Sequence, residues 1–402
     1  MFFEYEKKAN RTLEDFSWLR DGKFYVNPSD WSEIKERFPR KDIMVHLMGL
    51  IKEHQVSPPL YEDSKTKRVE EYRKMLNKTY TIEKTSWSTH RVKDLDFLYR
   101  GESVLLPLER PTAKRVSNYY MQEVRLASKF NTRKWSYLGE WNEILKGELT
   151  FSPTINATIH FEDKHLRNYS FVVGGRLGGS FVSQFKPSVA KTIYDFFDAK
   201  KVLDFSSGWG DRLLGFLASN AESYTGIDPN TKLHKRYREI ENDFKEGKDT
   251  KFICSPAEDV DYSQFKYDFV FTSPPYFDLE TYSYESTQSV SNYVEFSAWR
   301  DQFLFKTMNK VFHGLEEGGR IALNICDTDY SNIFVCKPLV EYMESLGATY
   351  EGVIGMGISS KPLNAKGNVS RGKQEKRAEP IFIWSKGEAR EPKWNQDNFF
   401  EI

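Results

Sequence analysis

The sequence predicts an α/β protein: a doubly wound, mostly parallel sheet over 166–402, with an additional α+β region over 1–165. Three observations predict it. Short apolar runs alternate with helically periodic segments through the second half, the order that βαβ units produce. Each run breaks abruptly into turn residues, as a strand does on leaving a buried sheet. The first half lacks that alternation and shows scattered helical stretches instead.

The elements of the second half follow in order. KVLDF at 201–205 is a strand that breaks into SSGWG, and RLLGFLA at 212–218 is the helix after it. SYTGI at 223–227 is a second strand, closed by Asp228-Pro229-Asn230, and the charged, periodic 231–244 is its helix. A third strand lies at 251–254. The fourth, at 269–271, stops at Thr272-Ser273-Pro274-Pro275-Tyr276. Apolar residues at helical spacing fill 296–312. GRIALNI at 319–325 is a fifth strand, 339–346 a helix, and IFIW at 381–384 a last strand. The interval 355–380, GMGISSKPLNAKGNVSRGKQEKRAEP, is basic, glycine-rich and poor in large apolar residues. It reads as a long positive loop between two late strands, with a charge suited to a phosphate backbone.

In the first half, 4–18, 44–54 and 68–76 carry helical spacing, and FSPTINATIHF at 151–161 alternates as a strand does. The segment SKTKRVEEYRK, 64–74, reads as a solvated helix face. RPTAKRVSNYYMQEVR, 110–125, mixes basic residues with Tyr119 and Tyr120. Such a helix either lies on an ordinary surface or meets nucleic acid through phosphate pairing and base stacking.

Composition bounds the function. A chain of 402 residues accommodates two domains. Lys plus Arg and Asp plus Glu are equal at 58 each, so a nucleic-acid partner has to be met by local patches rather than by global charge. Cys254, Cys326 and Cys336 form no C-x-x-C pair, which argues against a structural metal site or a disulfide framework and for a reducing, cytoplasmic setting. The first residues, MFFEYEKKANRTLEDF, carry no apolar leader, and no stretch is long enough to span a bilayer, so no membrane partner is expected.

The candidate functional residues all follow strands. Gly208 and Gly210 in DFSSGWGD, 204–211, let a backbone approach a ligand at a helix start. Asp228, at the end of the second strand and followed by Pro229, can accept both hydroxyls of a ribose. Leu213 stands where a dinucleotide fingerprint has its third glycine, and no G-K-[S/T] follows, so pyrophosphate cradling is excluded. Ribose binding without it points to a nucleoside cofactor such as S-adenosylmethionine. Glu258 and Asp259, after the third strand, either accept from an adenine amine or cap a loop. All of these sit at carboxyl ends of strands, where open parallel sheets hold ligands.

Taken together these segments resemble the class I S-adenosylmethionine-dependent methyltransferases, and within them the amino-methyltransferases of DNA. The resemblance covers about 166–386. The family has a D-P-F-x-G-x-G-T turn where this chain has Asp204-Phe205-Ser206-Ser207-Gly208-Trp209-Gly210-Asp211. It has a [D/N/S]-P-P-[Y/F] tetrapeptide where this chain has Ser273-Pro274-Pro275-Tyr276, a K-P element matched by Lys186-Pro187, and a glutamate before its last strand matched by Glu379. The segment order is similar to the gamma arrangement. An upstream Ser57-Pro58-Pro59 follows no strand.

The resemblance implies a Rossmann-like fold and S-adenosylmethionine held by Lys186, Pro187, Asp204, Ser206, Gly208, Gly210, Asp211, Asp228, Pro229, Glu258 and Asp259. It implies DNA as partner, with RNA as the alternative and with scope for a restriction partner. The activity implied is methylation of an exocyclic base amine, cytosine ahead of adenine. The base leaves its stack, the Ser273 side chain and a Pro274 or Pro275 carbonyl accept its N–H groups, and Tyr276 stacks on its ring. A non-catalytic recognition subunit is the other reading of the fold. Three departures bear on the methionine end of the cofactor: Phe205-Ser206 in place of Pro-Phe, bulky Trp209, and Asp211 in place of Thr. Residues 1–165 carry no motif and are assigned to target recognition or clamping by elimination.

Overall fold

A computed structural model describes residues 11–61, 64–89, 92, 104–107, 109–161, 164–177, 179, 182–327, 333–358 and 376–393. The chain forms two compact units that interleave along it, one from the described parts of Met1–Asp63, Gln122–Ser183 and Glu280–Tyr282, the other from Ser64–Met121, Gln184–Leu279 and Ser283–Ile402. The sequence reading cut the chain once, after 165. The division differs because residues 64–121, which carry no strand-helix alternation, supply two strands to the larger unit's sheet.

Among the described residues that sheet has nine strands: β1 (Glu83–Lys84), β2 (Val104–Leu106), β3 (Lys201–Asp204), β4 (Ser223–Ile227), β5 (Asp249–Ile253), β6 (Phe269–Thr272), β7 (Arg320–Asn324), β8 (Thr349–Gly357) and β9 (Ala378–Ser385). Their spatial order is β1-β2-β8-β9-β7-β6-β3-β4-β5. Pairing is parallel from β5 through β4, β3 and β6 to β7; β9 runs antiparallel to both β7 and β8, β2 runs parallel to β8, and β1 antiparallel to β2. This is the expected α/β, doubly wound, mostly parallel sheet. The chain runs outward from β3 through β4 to β5, then returns to lay β6 on the other side of β3. The switch point therefore lies between β3 and β6.

Strand β6 shows why both faces need helices. Its four residues, Phe-Val-Phe-Thr, are all buried. Phe269 and Phe271 point to one face, where their rings meet Tyr194, Phe197 and Phe185 at centroid distances of 5.4–6.1 Å. Val270 points to the other, into the core built from Trp299, Leu304, Met308, Val311, Leu339 and Met343. Each such buried side chain stabilises the fold by about 1.5–3 kcal/mol. Helix Pro187–Phe196 starts where Pro187 supplies the N1 residue after Lys186. It lies so close to helix Asp211–Leu217 that a Cβ on Gly215 would stand 2.5 Å from that of Ala190.

The smaller unit is α+β. Helices Pro28–Arg37, Arg40–Glu53, Tyr137–Lys146, Pro153–His160 and Asn168–Leu177 gather around Trp31, Leu47, Trp141, Ile155 and Phe171, beside an antiparallel sheet of Leu19–Arg20, Lys23–Val26 and Leu166–Arg167. The strand expected over 151–161 is a helix. Ser152 caps it by accepting from the Ile155 N–H at 3.0 Å, Pro153 begins it, and Ile155 and Ile159 bury one face four residues apart. That start signal outweighs an alternation that Thr154 and Thr158 happen to complete. The helix expected over 4–18 is, among its described residues, a single 3₁₀ turn at Leu13–Asp15 ahead of the strand Leu19–Arg20.

Two other first-half expectations change within the larger unit. Segment 64–74 is helical, as Lys65–Leu76, and its charged residues Lys65, Lys67, Glu70, Arg73 and Lys74 form the expected solvated face, but an opposite face buries Arg68, Tyr72 and Met75. Helix Lys114–Ala127 likewise buries Val116, Tyr120 and Met121 and leaves Tyr119 exposed. Of the long basic interval, 359–375 lies outside the described residues. No helix among the described residues is long and apolar enough to cross a membrane.

Candidate active site at the strand ends

Strands β3 and β6 pair directly, so the turns that follow them are neighbours at a spacing of about 4.7–4.9 Å per strand. In the turn after β3 the chain must reverse within a few residues and enter a helix. Gly208 and Gly210 make this feasible with φ of +54° and +71°. The turn is tied to β4: the Ser207 N–H donates to the Ile227 carbonyl at 2.9 Å, and the Gly208 N–H donates to Asp228 Oδ2 at 2.8 Å.

Asp228 is the acceptor that organises this region. Its other oxygen, Oδ1, accepts from the Asn230 N–H at 2.9 Å, and His234 Nε2 lies 2.8 Å from its carbonyl oxygen. Each carboxylate oxygen thus takes one backbone donor and keeps acceptor capacity in reserve. Burial pushes the carboxyl up to about 7, against the pull of the two N–H groups. Pro229 follows it in the turn; its carbonyl accepts from the Thr287 hydroxyl at 3.4 Å.

Asp204 is enclosed instead. It is fully buried and accepts from Arg212 Nε at 2.8 Å, Arg212 Nη2 at 3.2 Å, the Tyr224 hydroxyl at 2.8 Å and the Ser206 N–H at 3.3 Å. Those four donors match the lone-pair sites of a carboxylate. Its geometry makes it a brace for the turn, with no acceptor site left over for a ligand. Ser206 joins that brace through its N–H and through its carbonyl, which Arg212 also contacts.

Asp211, the residue that departs from the family turn, is buried at the first position of its helix. It accepts from the Ser117 hydroxyl at 2.5 Å and from Gln184 Nε2 at 3.3 Å, and burial pushes it up to about 6. Lys186 is buried as well and donates to the Gly357 carbonyl at 2.8 Å; burial, reinforced by the nearby Lys114 charge, lowers its ammonium to about 8. Pro187 is buried within the helix it opens. Beyond β5 the pair of acids separates. Glu258 is buried, accepts from the Tyr293 hydroxyl at 3.0 Å and is raised by burial, whereas Asp259 is exposed, 3.6 Å from Lys306 Nζ.

After β6 the backbone leaves the sheet at Ser273-Pro274-Pro275-Tyr276. Pro274 is buried, while Ser273, Pro275 and Tyr276 are half-buried. Phe277 next adopts a φ of +37°, in the left-handed region that aromatic residues rarely enter. Both polar members of the tetrapeptide rest on Asn324, the last residue of β7. The Ser273 hydroxyl lies 3.5 Å from Asn324 Oδ1, and the Tyr276 hydroxyl donates to the Asn324 carbonyl at 3.3 Å.

The fold thus gathers Gly208, Gly210 and Asp228 around one turn and Ser273 to Tyr276 in the turn beside it. Glu258 lies in the 3₁₀ turn Ala257–Asp259, in the segment that follows β5. Asp204, Ser206, Asp211 and Lys186 are engaged in internal bonds, and Asp259 faces outward. Sequence reasoning missed Arg212, Tyr224, Tyr293 and Asn324. Asn324 carried a signal: it is a polar residue that closes an apolar strand, as Thr272-Ser273 does.

No family model matches the chain, and no curated protein matches it. Among solved structures it is similar to TrmN from Thermus thermophilus, at 15% identity over 50% of this chain and 49% of that one, with a TM-score of 0.31. It is also similar to precorrin-6y C5,15-methyltransferase from Geobacter metallireducens, at 14% identity over 49% of this chain and 85% of that one, TM-score 0.32. An O-methyltransferase family protein from Burkholderia thailandensis matches at 11% identity over 51% and 56%, TM-score 0.34. The match spans about half the length of TrmN.

Proposed function

We propose that this chain transfers a methyl group from S-adenosylmethionine to the exocyclic amine of a base in DNA. The observation that carries the reading is the pairing of two specialised turns at the topological switch point, where open sheets bind ligands. One turn holds a buried carboxylate with spare acceptor capacity; the other holds Ser-Pro-Pro-Tyr.

The cofactor fits the first turn. Asp228 accepts its two ribose hydroxyls, one on each carboxylate oxygen. Gly208 lets the backbone come close, since a Cβ there would meet nothing nearer than the Ser206 carbonyl at 3.7 Å. Glu258 accepts from the adenine amine. Bound there, S-adenosylmethionine supplies an electrophilic methyl group.

The second turn orients the nucleophile. The Ser273 hydroxyl oxygen and a proline carbonyl accept the two N–H groups of the base amine, which aims its lone pair along the line of displacement. Tyr276 stacks on the base, whose extrusion costs a few kcal/mol. Catalysis by this chain is then positioning and charge placement, without a strong base. The choice of a polymer rests on the basic composition of 355–380.

The test is methyl transfer from labelled S-adenosylmethionine to duplex DNA, single-stranded DNA and total RNA, with digestion to nucleosides and mass spectrometry. An N-methylated cytosine or adenine in DNA is the expected product. Label confined to RNA moves the substrate to RNA. Label in neither, with S-adenosylmethionine still bound, removes nucleic acid as the substrate.

A further inference from the structure

We infer that Asn324 is a positioning residue that commits Ser273 to accepting hydrogen bonds, and so makes the site select an amine over a carbonyl. The inference rests on the proposed function and specifies what in the chain enforces it.

The argument is one of donors and acceptors. A serine hydroxyl has a single proton and two lone pairs, so it recognises either an N–H group or a carbonyl according to where that proton goes. Left to rotate, it discriminates poorly between a base bearing an amine and one bearing an oxo group at the same position. Asn324 removes the ambiguity. It is buried at the end of β7, and its Nδ2 donates to the Pro380 carbonyl at 2.9 Å. A carbonyl only accepts, so the amide nitrogen must face Pro380 and the amide oxygen must face Ser273. This orientation is set by chemistry rather than chosen between two similar atoms.

Asn324 Oδ1 therefore has no proton to give, and the Ser273 hydroxyl 3.5 Å away can engage it only by donating. The separation is longer than a settled hydrogen bond, as such contacts often are before a ligand tightens them. With its proton drawn toward Asn324, Ser273 presents lone pairs alone. The Asn324 carbonyl does the same service for Tyr276 by accepting its hydroxyl proton at 3.3 Å, which fixes the tilt of the ring. A single residue of β7 thus holds both polar members of the neighbouring turn. Pro380 lies on β9, paired with β7, so the amide is anchored from a strand that carries none of the turn itself.

The experiment compares wild type with Asn324→Ala and Asn324→Asp. Each is measured for methyl transfer and for equilibrium binding of two oligonucleotide sets that differ only at the target base: cytosine against uracil, and adenine against hypoxanthine. Wild type is expected to bind the amine base about tenfold more tightly than its oxo counterpart, within the range of a good base contact. Asn324→Ala frees the Ser273 proton, so its preference should fall to within about twofold and its kcat should drop, with S-adenosylmethionine affinity unchanged. Asn324→Asp keeps an acceptor facing Ser273 while losing the donor to Pro380, so it should retain the preference. A merely structural role would lower both variants' stability without separating their preferences. Undiminished discrimination and kcat in Asn324→Ala overturn the inference, as does equal loss of preference in both variants. If Asn324→Ala does not fold, loss of preference in a folded Asn324→Asp overturns it by itself. Absence of methyl transfer by wild type to any nucleic acid fails the proposed function instead.

Discussion

Replacing Arg212 should loosen the centre of the sheet. Its guanidinium is nearly enclosed and makes two bonds to Asp204, at 2.8 and 3.2 Å, and one to the Ser206 carbonyl. Arg212→Met keeps much of the volume but leaves a fully buried carboxylate with only the Tyr224 hydroxyl and the Ser206 N–H. Removing one partner of a buried pair costs about 3–5 kcal/mol, because the other charge stays in a medium that solvates it poorly. The change is local to β3 and β4, so hydrogen exchange resolved by peptide mass is the suitable assay. At 1.4 kcal/mol per tenfold, the amides of 201–204 and 223–227 should exchange roughly 100- to several-thousand-fold faster. Adding Asp204→Asn should recover part of the loss, since the stranded charge is then gone. An acceleration of less than about fivefold in Arg212→Met, or a double variant worse than the sum of the singles, would refute the brace.

Two further predictions concern the proposed site. Burial raises Asp228 to about 7, above the ordinary carboxylate value of about 3.9 in an unfolded chain. The native state therefore binds the extra proton between about pH 4 and pH 7, and this group's contribution to stability falls as pH rises through that window. Ribose hydroxyls favour the carboxylate, so S-adenosylmethionine affinity should strengthen from pH 6 to pH 8, by up to about tenfold per unit below 7. Asp228→Asn should be weak and flat, and a wild-type calorimetric Kd that does not move over that range sinks the assignment. Tyr276→Ala should lower methyl transfer roughly 5- to 150-fold, the worth of one base–aromatic stack, while cofactor affinity stays within twofold. Equal loss of both would mean that the turn itself has collapsed.

The sheet was legible because its strands are short apolar runs ending in residues that strands tolerate poorly. Ser273-Pro274-Pro275 could hardly continue a ladder, and Gly208 and Gly210 could hardly lie within one. The contribution of 64–121 was not legible. Strands β1 and β2 are two and three residues long, below the span at which periodicity declares itself. At the site, strand-end residues could be located but not assigned, because whether a carboxylate braces a turn or faces a ligand depends on partners remote in sequence. Asp204 and Asp228 both end central strands. Each has an arginine eight residues on, within the following helix: Arg212 bonds Asp204, over a short distance that exists only once the glycine turn has folded, whereas Arg236 pairs with Glu239 in its own helix.

The same dependence explains Asp211. Read against the family turn, an acid in place of threonine looks like damage to the cofactor pocket. In the fold its carboxylate accepts from Ser117 on helix Lys114–Ala127 and from Gln184 ahead of Lys186, and Gln184 also donates to Ser117 at 2.7 Å and to the Lys114 carbonyl at 3.0 Å. These bonds join three segments far apart in the chain at the mouth of one turn. Both donors reach the same oxygen, Oδ1, which a carboxylate offers without a proton of its own, whereas a threonine hydroxyl would bring a proton that needs an acceptor in turn. The acid at this position therefore follows from the helix that residues 64–121 bring to the larger unit: once Ser117 and Gln184 are placed there, the position after Gly210 needs an acceptor, and an aspartate raised to about 6 by burial supplies one at the N-terminus of its helix.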